Sequence, residues 1–217
     1  MAHQEKQRIL ITISRQFASG GAFIGQGLAR RLGIAYFDRQ ILRQAAEQLG
    51  QEEASLAGRE ERLSGFLEKA VRPFIYGSPE TPYIPPPLRR PVDDRALFEA
   101  EAAAIRLFAG QFDAVFVGRC GFHVLRDKPS LVNVFVHADV KSRAERLREI
   151  YGTDPDEAGR IIEKSDRDRK KFIEAMTGVD WTDARNYHLA MDSGKTGLET
   201  AQEIILLQVR KVREEVS

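Results

Sequence analysis

The residues of this chain best suited to chemistry are arginines, small residues and a few carboxylates at places where a chain turns. Arg15 is followed by Ser19-Gly20-Gly21, and a helical pattern begins at once. Small residues at a helix start let backbone N–H groups approach an anion, and the helix dipole adds partial positive charge. The pairs Ser14-Arg15, Asp38-Arg39 and Gly118-Arg119 each close a short apolar run. Guanidinium forks match phosphate oxygens two at a time. Arginines gathered beside a Gly-Gly helix start therefore point to a site for a polyphosphate. The other reading of the Gly-Gly pair is a tight strand-to-helix turn that binds nothing. The phosphate-loop pattern G-x-x-x-x-G-K-[ST] requires a lysine and a hydroxyl after its second glycine, and Gly21 and Ala22 stand there.

The elements that must carry these residues read as an α/β chain. Ile9–Ile13, Ala114–Val117, Leu131–Val136 and Leu189–Met191 are apolar runs, broken only by Thr12 and Asn133, with Ile34–Phe37 a weaker fifth run. Such runs, without alternation, fit parallel strands covered on both faces. Ile24, Leu28 and Leu32 share one helical face; so do Val140, Ala144, Leu147 and Tyr151, and Ala201, Ile204, Ile205 and Val212. The alternation predicts βαβ units in a three-layer α/β fold, a mostly parallel five-stranded sheet with helices on both faces. In such sheets ligands bind at the carboxyl ends of the strands. Those ends hold the three arginine pairs, then His137 and Asp139, then Asp192-Ser193. Residues 72–95 hold most of the chain's nine prolines and read as an inserted loop, either covering a ligand or leading over the surface.

Composition narrows the classes. Lys plus Arg is 33 against 32 for Asp plus Glu, a net charge of +1, which argues against a dedicated nucleic-acid or anionic-membrane protein. The one cysteine, Cys120, allows no intrachain disulfide and suits a reducing, cytoplasmic setting. No apolar signal region opens the chain, and no run is long enough to span a membrane.

The stretch ISRQFASGGAFIGQGLARRLG followed by YFDRQIL resembles the cytidylate-kinase-like family of P-loop nucleoside monophosphate kinases. VFVGRCGFHVLRDKP is similar to its G-R segment, HADVKSRAERL to the strand and helix before its lid, SDRDRKKF to its D-x-x-R lid motif, and YHLAMDSGKTGLETAQEII to its last strand and helix. The motifs follow in order along nearly the whole chain. The resemblance implies one P-loop kinase-like domain, with core segments near 8–50, 96–150 and 185–217, an insert near 51–95 and a helical lid near 152–180. It implies transfer of the ATP γ-phosphoryl group to a nucleoside monophosphate, CMP among them, with Mg²⁺ accompanying ATP and no protein metal ligand named. Ser19, Gly20, Gly21 and Arg143 would bind the donor; Asp38, Arg43 and Arg119 would bind the acceptor; Arg15, Asp166 and Arg169 would act on the transferring group.

The chain departs from the family pattern at Ala18, the usual first glycine of G-S-G-G, at Ala22-Phe23, where a charged pair is common, and at Cys120, where cytidylate kinases carry an Asp. In the overlay on the phosphate-loop pattern the lysine falls on Gly21, the hydroxyl on Ala22 and the first glycine on Arg15. These departures bear on catalysis more than on the fold, and transfer is expected to be slow. Two alternatives stand beside it: a nucleotide-binding regulatory module with little or no turnover, and a kinase for a non-nucleotide acceptor. Expected partners are ATP and a small phosphate acceptor, not nucleic acid or membrane, with self-association open. Several residues carry a second reading. Asp38 also suits a helix N-cap, Arg43 a solvated face, and Arg143 and Arg146 surface pairing with Glu145 and Glu149. Asp166 and Arg169 share a helix face and suit a mutual pair. Cys120 suits a small buried thiol, and His137 and His188 suit core or surface positions.

Overall fold

A computed structural model describes residues 8–52 and 94–215. Five strands form one sheet: β1 (Leu10–Arg15), β2 (Ala35–Phe37), β3 (Ala114–Val117), β4 (Leu131–His137) and β5 (Leu189–Asp192). Their order across the sheet is β2-β3-β1-β4-β5, and every pairing is parallel. All five apolar runs are thus strands, Ile34–Phe37 included. β1 is central, pairing Ile13 with both Val117 and Val134. Parallel pairing throughout puts all five carboxyl ends along one edge, where Arg15, Asp38, Gly118, His137 and Asp192 stand.

Helices cover both faces. On one side Ile11 and Ile13 of β1 pack with Ile24 and Leu28 of α1 (Gly21–Leu32) and with Ile205 and Val209 of the last helix (Leu198–Glu215). On the other, Leu10 packs with Ile41 and Leu42 of α2 (Arg39–Glu52) and with Ile105 and Phe108 of α3 (Asp94–Gln111). Phe37 stacks between Phe108 and Phe116, with centroids 4.5 and 5.2 Å away. Continuous apolar strands follow from this double cover, since neither face meets water.

After β3 comes a single turn, α4 (Gly121–Val124). After β4 a helical hairpin rises from the sheet edge: α5 (Val140–Tyr151) and α6 (Pro155–Thr177). Asp139 caps α5 by accepting from Ser142 N at 2.9 Å. Asp154 caps α6, with Pro155 in its first turn, where a missing N–H and a fixed φ are an advantage. The hairpin holds the segment expected as a lid, and α6 is one unbroken helix through SDRDRKKF. A short helix, α7 (Ser193–Thr196), follows β5, and α8 (Leu198–Glu215) closes the chain. The proline-rich insert lies outside the described residues except for its end: Asp94 and Arg95 already belong to α3, so helix begins inside the range read as loop. Among the described residues no helix is long and apolar enough to cross a membrane.

Candidate functional site

The turn from β1 to α1 is built from its backbone. Gly20 has φ +81° and no side-chain cap bond, so the first N–H groups of α1 have no capping oxygen. Ala18 sits at φ +59°. A left-handed alanine costs roughly 1–2 kcal/mol, and this is the position where the family places glycine. The surroundings hold the strain. Gln16 N donates to Val136 O at 3.0 Å, and Phe17 N donates to Asp166 Oδ1 at 2.8 Å. Arg146 Nη1 donates to Ala18 O at 2.9 Å, and Arg169 Nη1 donates to Arg15 O at 2.6 Å. Arg143 Nη1 donates to Asp166 Oδ2 at 2.5 Å and to Phe17 O at 3.3 Å. The helical hairpin therefore grips the loop through its carbonyls.

Ser19 faces inward. Its buried hydroxyl donates toward Gln16 O at 2.9 Å and Val136 O at 3.0 Å, and Ser193 Oγ donates to Ser19 O at 2.6 Å. The part of the loop left to meet an anion is the Gly20–Gly21 backbone at the helix start, with Leu198 and Arg146 nearby.

Arg15 explains the pair of glycines on either side of it. A Cβ at Gly21 would lie 2.7 Å from Arg15 Cβ and 2.9 Å from its Cγ. A Cβ at Gly118 would run into the Arg15 guanidinium. The side chain thus passes over Gly21 and lays its charged end against Gly118, spanning from the β1–α1 turn to the end of β3. Gly118, Arg119 and Cys120 follow one another at φ +80°, +50° and +57°. Two of these are non-glycine residues in a conformation that ordinary side chains rarely adopt, and strain of this kind concentrates at functional sites.

Arg119 is held from two sides. Its Nε lies 2.5 Å from Glu101 Oε2, its Nη2 pairs with the same oxygen, and its guanidinium stacks 4.9 Å over the Phe172 ring of α6. Glu101, on α3, is 1% exposed. Burial raises its pKa, and the charge and hydrogen bond of Arg119 pull it back. The Arg169 guanidinium sits 3.8 Å from Asp166 Oδ1 and 5.8 Å from the Trp181 ring centroid. Burial lowers the pKa of Arg169, and Arg15 next lowers it further while Asp166 opposes. Burial likewise lowers that of Arg15; Tyr36 and Asp38 oppose the shift, while Arg39 and Arg119 add to it. Guanidinium stays charged at neutral pH, and burial is the main cause of both shifts. The geometry brings three of these cations to one region, with the Arg15 guanidinium against Gly118, next in sequence to Arg119, and Arg169 on the carbonyl of Arg15.

Asp38 caps α2, accepting from Gln40 N at 2.9 Å and Ile41 N at 3.2 Å, and still faces Arg15. Arg43 pairs with Glu47 at 3.2 Å one turn on. Arg143 is 4% exposed and serves as the buried clamp between Asp166 and Phe17, away from Glu145. Cys120 is buried, which pushes its pKa up to about 12. His188 Nδ1 accepts from Asn133 N at 3.1 Å beside β5. Among the described residues no three His, Cys, Asp or Glu side chains gather as a metal site would require.

Sequence reasoning missed Glu101, Phe172 and Trp181. Glu101 had a signal: with Phe98, Ile105 and Phe108 it stands on one helical face, an acid in an otherwise apolar stripe. Phe172 and Trp181 had none, because only the docked hairpin brings them to the site.

The fold recurs in solved structures. An uncharacterized protein from Eubacterium ventriosum ATCC 27560 is similar with TM-score 0.68 and 22% identity, covering 94% of this chain and 99% of its own. A gluconokinase from Sinorhizobium meliloti 1021 is similar with TM-score 0.54 and 15% identity, covering 98% of this chain and 97% of its own. No curated protein matches in sequence. The model of the Cytidylate kinase-like family matches residues 10–195, from the first residue of β1 to α7. That span takes in the β1–α1 turn, the strand-end arginines and the helical hairpin, and the chain belongs to the cytidylate kinase-like family.

Proposed function

We propose that this protein is a phosphotransferase that moves the γ-phosphoryl group of ATP to a nucleoside monophosphate, with CMP the first acceptor to test. The observation that carries the reading is the grouping of Arg15, whose guanidinium lies against Gly118 next to Arg119, with Arg169, which donates to Arg15 O at 2.6 Å, beside an uncapped helix start. Phosphoryl transfer asks a protein for positioning and charge neutralisation more than for covalent chemistry. The α1 N-terminus would hold donor phosphates through backbone N–H groups. Arg119, braced by Glu101 and Phe172, would hold the acceptor phosphate, with Asp38 and Arg43 at its flank. Arg15 reaches between the two and would replace the missing lysine. Arg169 would act from the lid helix, while Asp166 and Arg143 hold that helix on the loop.

Mg²⁺ would come bound to ATP. The chain does not fit the usual protein-held ion: Ala22 lacks the hydroxyl of the phosphate-loop pattern, and the Ser19 hydroxyl is committed to carbonyls. These same two features favour one second reading, a nucleotide-binding module that turns over little or not at all. The deciding experiment follows ADP release from Mg-ATP with each nucleoside monophosphate and with small hydroxyl acceptors such as sugar acids. Release that depends on a monophosphate supports the kinase. Nucleotide binding without release under any acceptor supports the module, and release only with a hydroxyl compound overturns the acceptor assignment.

A further inference from the structure

Burying a carboxylate costs several kcal/mol unless it is paired and hydrogen-bonded. Glu101 stands in an apolar stripe of α3 where a leucine would pack without that cost, and Arg119 is its one ion-pair partner among the described residues. The pairing is also not the strongest one available. A fork-on-fork arrangement would engage both carboxylate oxygens. Here Nε and Nη2 of Arg119 both meet Oε2, and Oε1 is buried without a partner. Two donors on one oxygen fix the plane and direction of the guanidinium and leave its outer N–H groups, on Nη1 and Nη2, turned away from Glu101. The guanidinium Cζ lies 4.9 Å from the centroid of the Phe172 ring on the lid helix. The backbone beneath, at φ +50°, is held in the left-handed region.

We propose that Glu101 is a positioning residue that fixes the Arg119 guanidinium so that one cation both receives the acceptor's phosphate and docks the lid helix through Phe172. The inference rests on the acceptor-side reading given above. It makes acceptor binding and lid docking a single event. Trp181, the only tryptophan of the chain, is packed in the same cluster as Phe172 and lies under Arg169, so its emission reports that event.

The test titrates CMP and ADP separately into the full chain, following Trp181 emission, for the wild type, Glu101→Gln, Arg119→Ala and the double variant. Glu101→Gln keeps the shape and removes the charge. Its affinity for CMP is expected to fall about ten- to hundredfold, the scale of a lost charge-assisted contact, while its affinity for ADP holds. In the Arg119→Ala background the same change should add nothing, because Glu101 acts through that side chain. Arg119→Lys, which keeps the charge and loses the fork, should reproduce Glu101→Gln, and it decides the matter if the glutamine variant does not fold. Wild-type CMP affinity in Glu101→Gln overturns the inference and leaves the acceptor reading intact. So does a loss that adds to that of Arg119→Ala, or an equal loss for ADP. A wild type that binds ADP but not CMP overturns the acceptor reading, and inorganic pyrophosphate then becomes the probe: weaker binding in Glu101→Gln supports the role of Glu101, and equal binding overturns it. A wild type that binds neither anion overturns both.

Discussion

Replacing Gly21 by lysine would restore the residue that phosphate loops usually carry, and the structure predicts that it will damage this protein. The backbone at Gly21 is helical, so no strain arises from φ. The difficulty is space. The new Cβ would lie 2.7 Å from Arg15 Cβ, 2.9 Å from Arg15 Cγ and 3.4 Å from Ile13 Cγ2. The first two atoms are the stem of a residue on the central strand, not the far end of a flexible chain, so either β1 or α1 must move. Overpacking of this kind costs about 1–3 kcal/mol. The standard pattern has glycine at the position of Arg15 and lysine at the position of Gly21; this chain has them exchanged. Because the two positions touch at Cβ, one of them can carry a long basic side chain and the other must be glycine. Arg15→Ala would not relieve Gly21→Lys, since alanine keeps the offending Cβ, whereas Arg15→Gly would. Urea unfolding of the four proteins of the Arg15→Gly, Gly21→Lys cycle measures this. The double variant is expected to be more stable than the two single losses predict, by at least about 1 kcal/mol, the coupling typical of residues in contact. Gly21→Lys as stable as the wild type, or losses that simply add, would refute the exchange.

Other consequences can be checked singly. Arg119→Ala should weaken binding of CMP by about 2 kcal/mol and leave the ADP-induced rise in melting temperature nearly intact, as calorimetry and thermal shift would show. Asp166→Ala strands the charge of Arg143, which is 4% exposed, and frees Phe17 N; a stability loss of about 3–5 kcal/mol is expected in chemical denaturation, together with faster proteolysis between 139 and 177. Ser19→Ala should lower stability by about 1–3 kcal/mol without changing nucleotide affinity, because its hydroxyl serves two carbonyls. The Cys120 thiol should resist a thiol reagent at neutral pH until the protein is unfolded. Its pKa is raised from 9.0 to about 12 by burial, so the unfolded chain loses that proton first. Its contribution is therefore whole below about pH 9 and is lost as pH rises toward about 12, which a comparison with Cys120→Ala in alkaline denaturation would reveal.

The sheet was legible because a strand covered on both faces is apolar at nearly every position: Ala114–Val117 is so throughout, and the polar exceptions in Leu10–Ile13 and Leu131–Val136, Thr12 and Asn133, are buried and bonded to each other at 2.5 Å. The polar residues just beyond them marked the edge where a ligand is expected for the same reason, since a parallel sheet sends every carboxyl end one way. The division of labour among those residues was not legible. Ser19 reads as part of a backbone cradle, and local sequence does not tell that its hydroxyl turns inward to the carbonyls of Gln16 and Val136. Arg143 reads with the donor from sequence, and the structure makes it a buried clamp, because Asp166 folds back onto it from the other helix of the same hairpin. Nothing in local spacing records which of several arginines a long-range carboxylate will claim. The exchange at 15 and 21 lies between these cases. A missing lysine looks like erosion when position 21 is judged alone. Arg15 lies over Gly21 and ends against Gly118, so on the function proposed above the cation keeps its place between the two sides of the site and changes only the element from which it reaches. What has not been replaced is the hydroxyl lost at Ala22, and any defect in turnover should trace to that position rather than to the absent lysine.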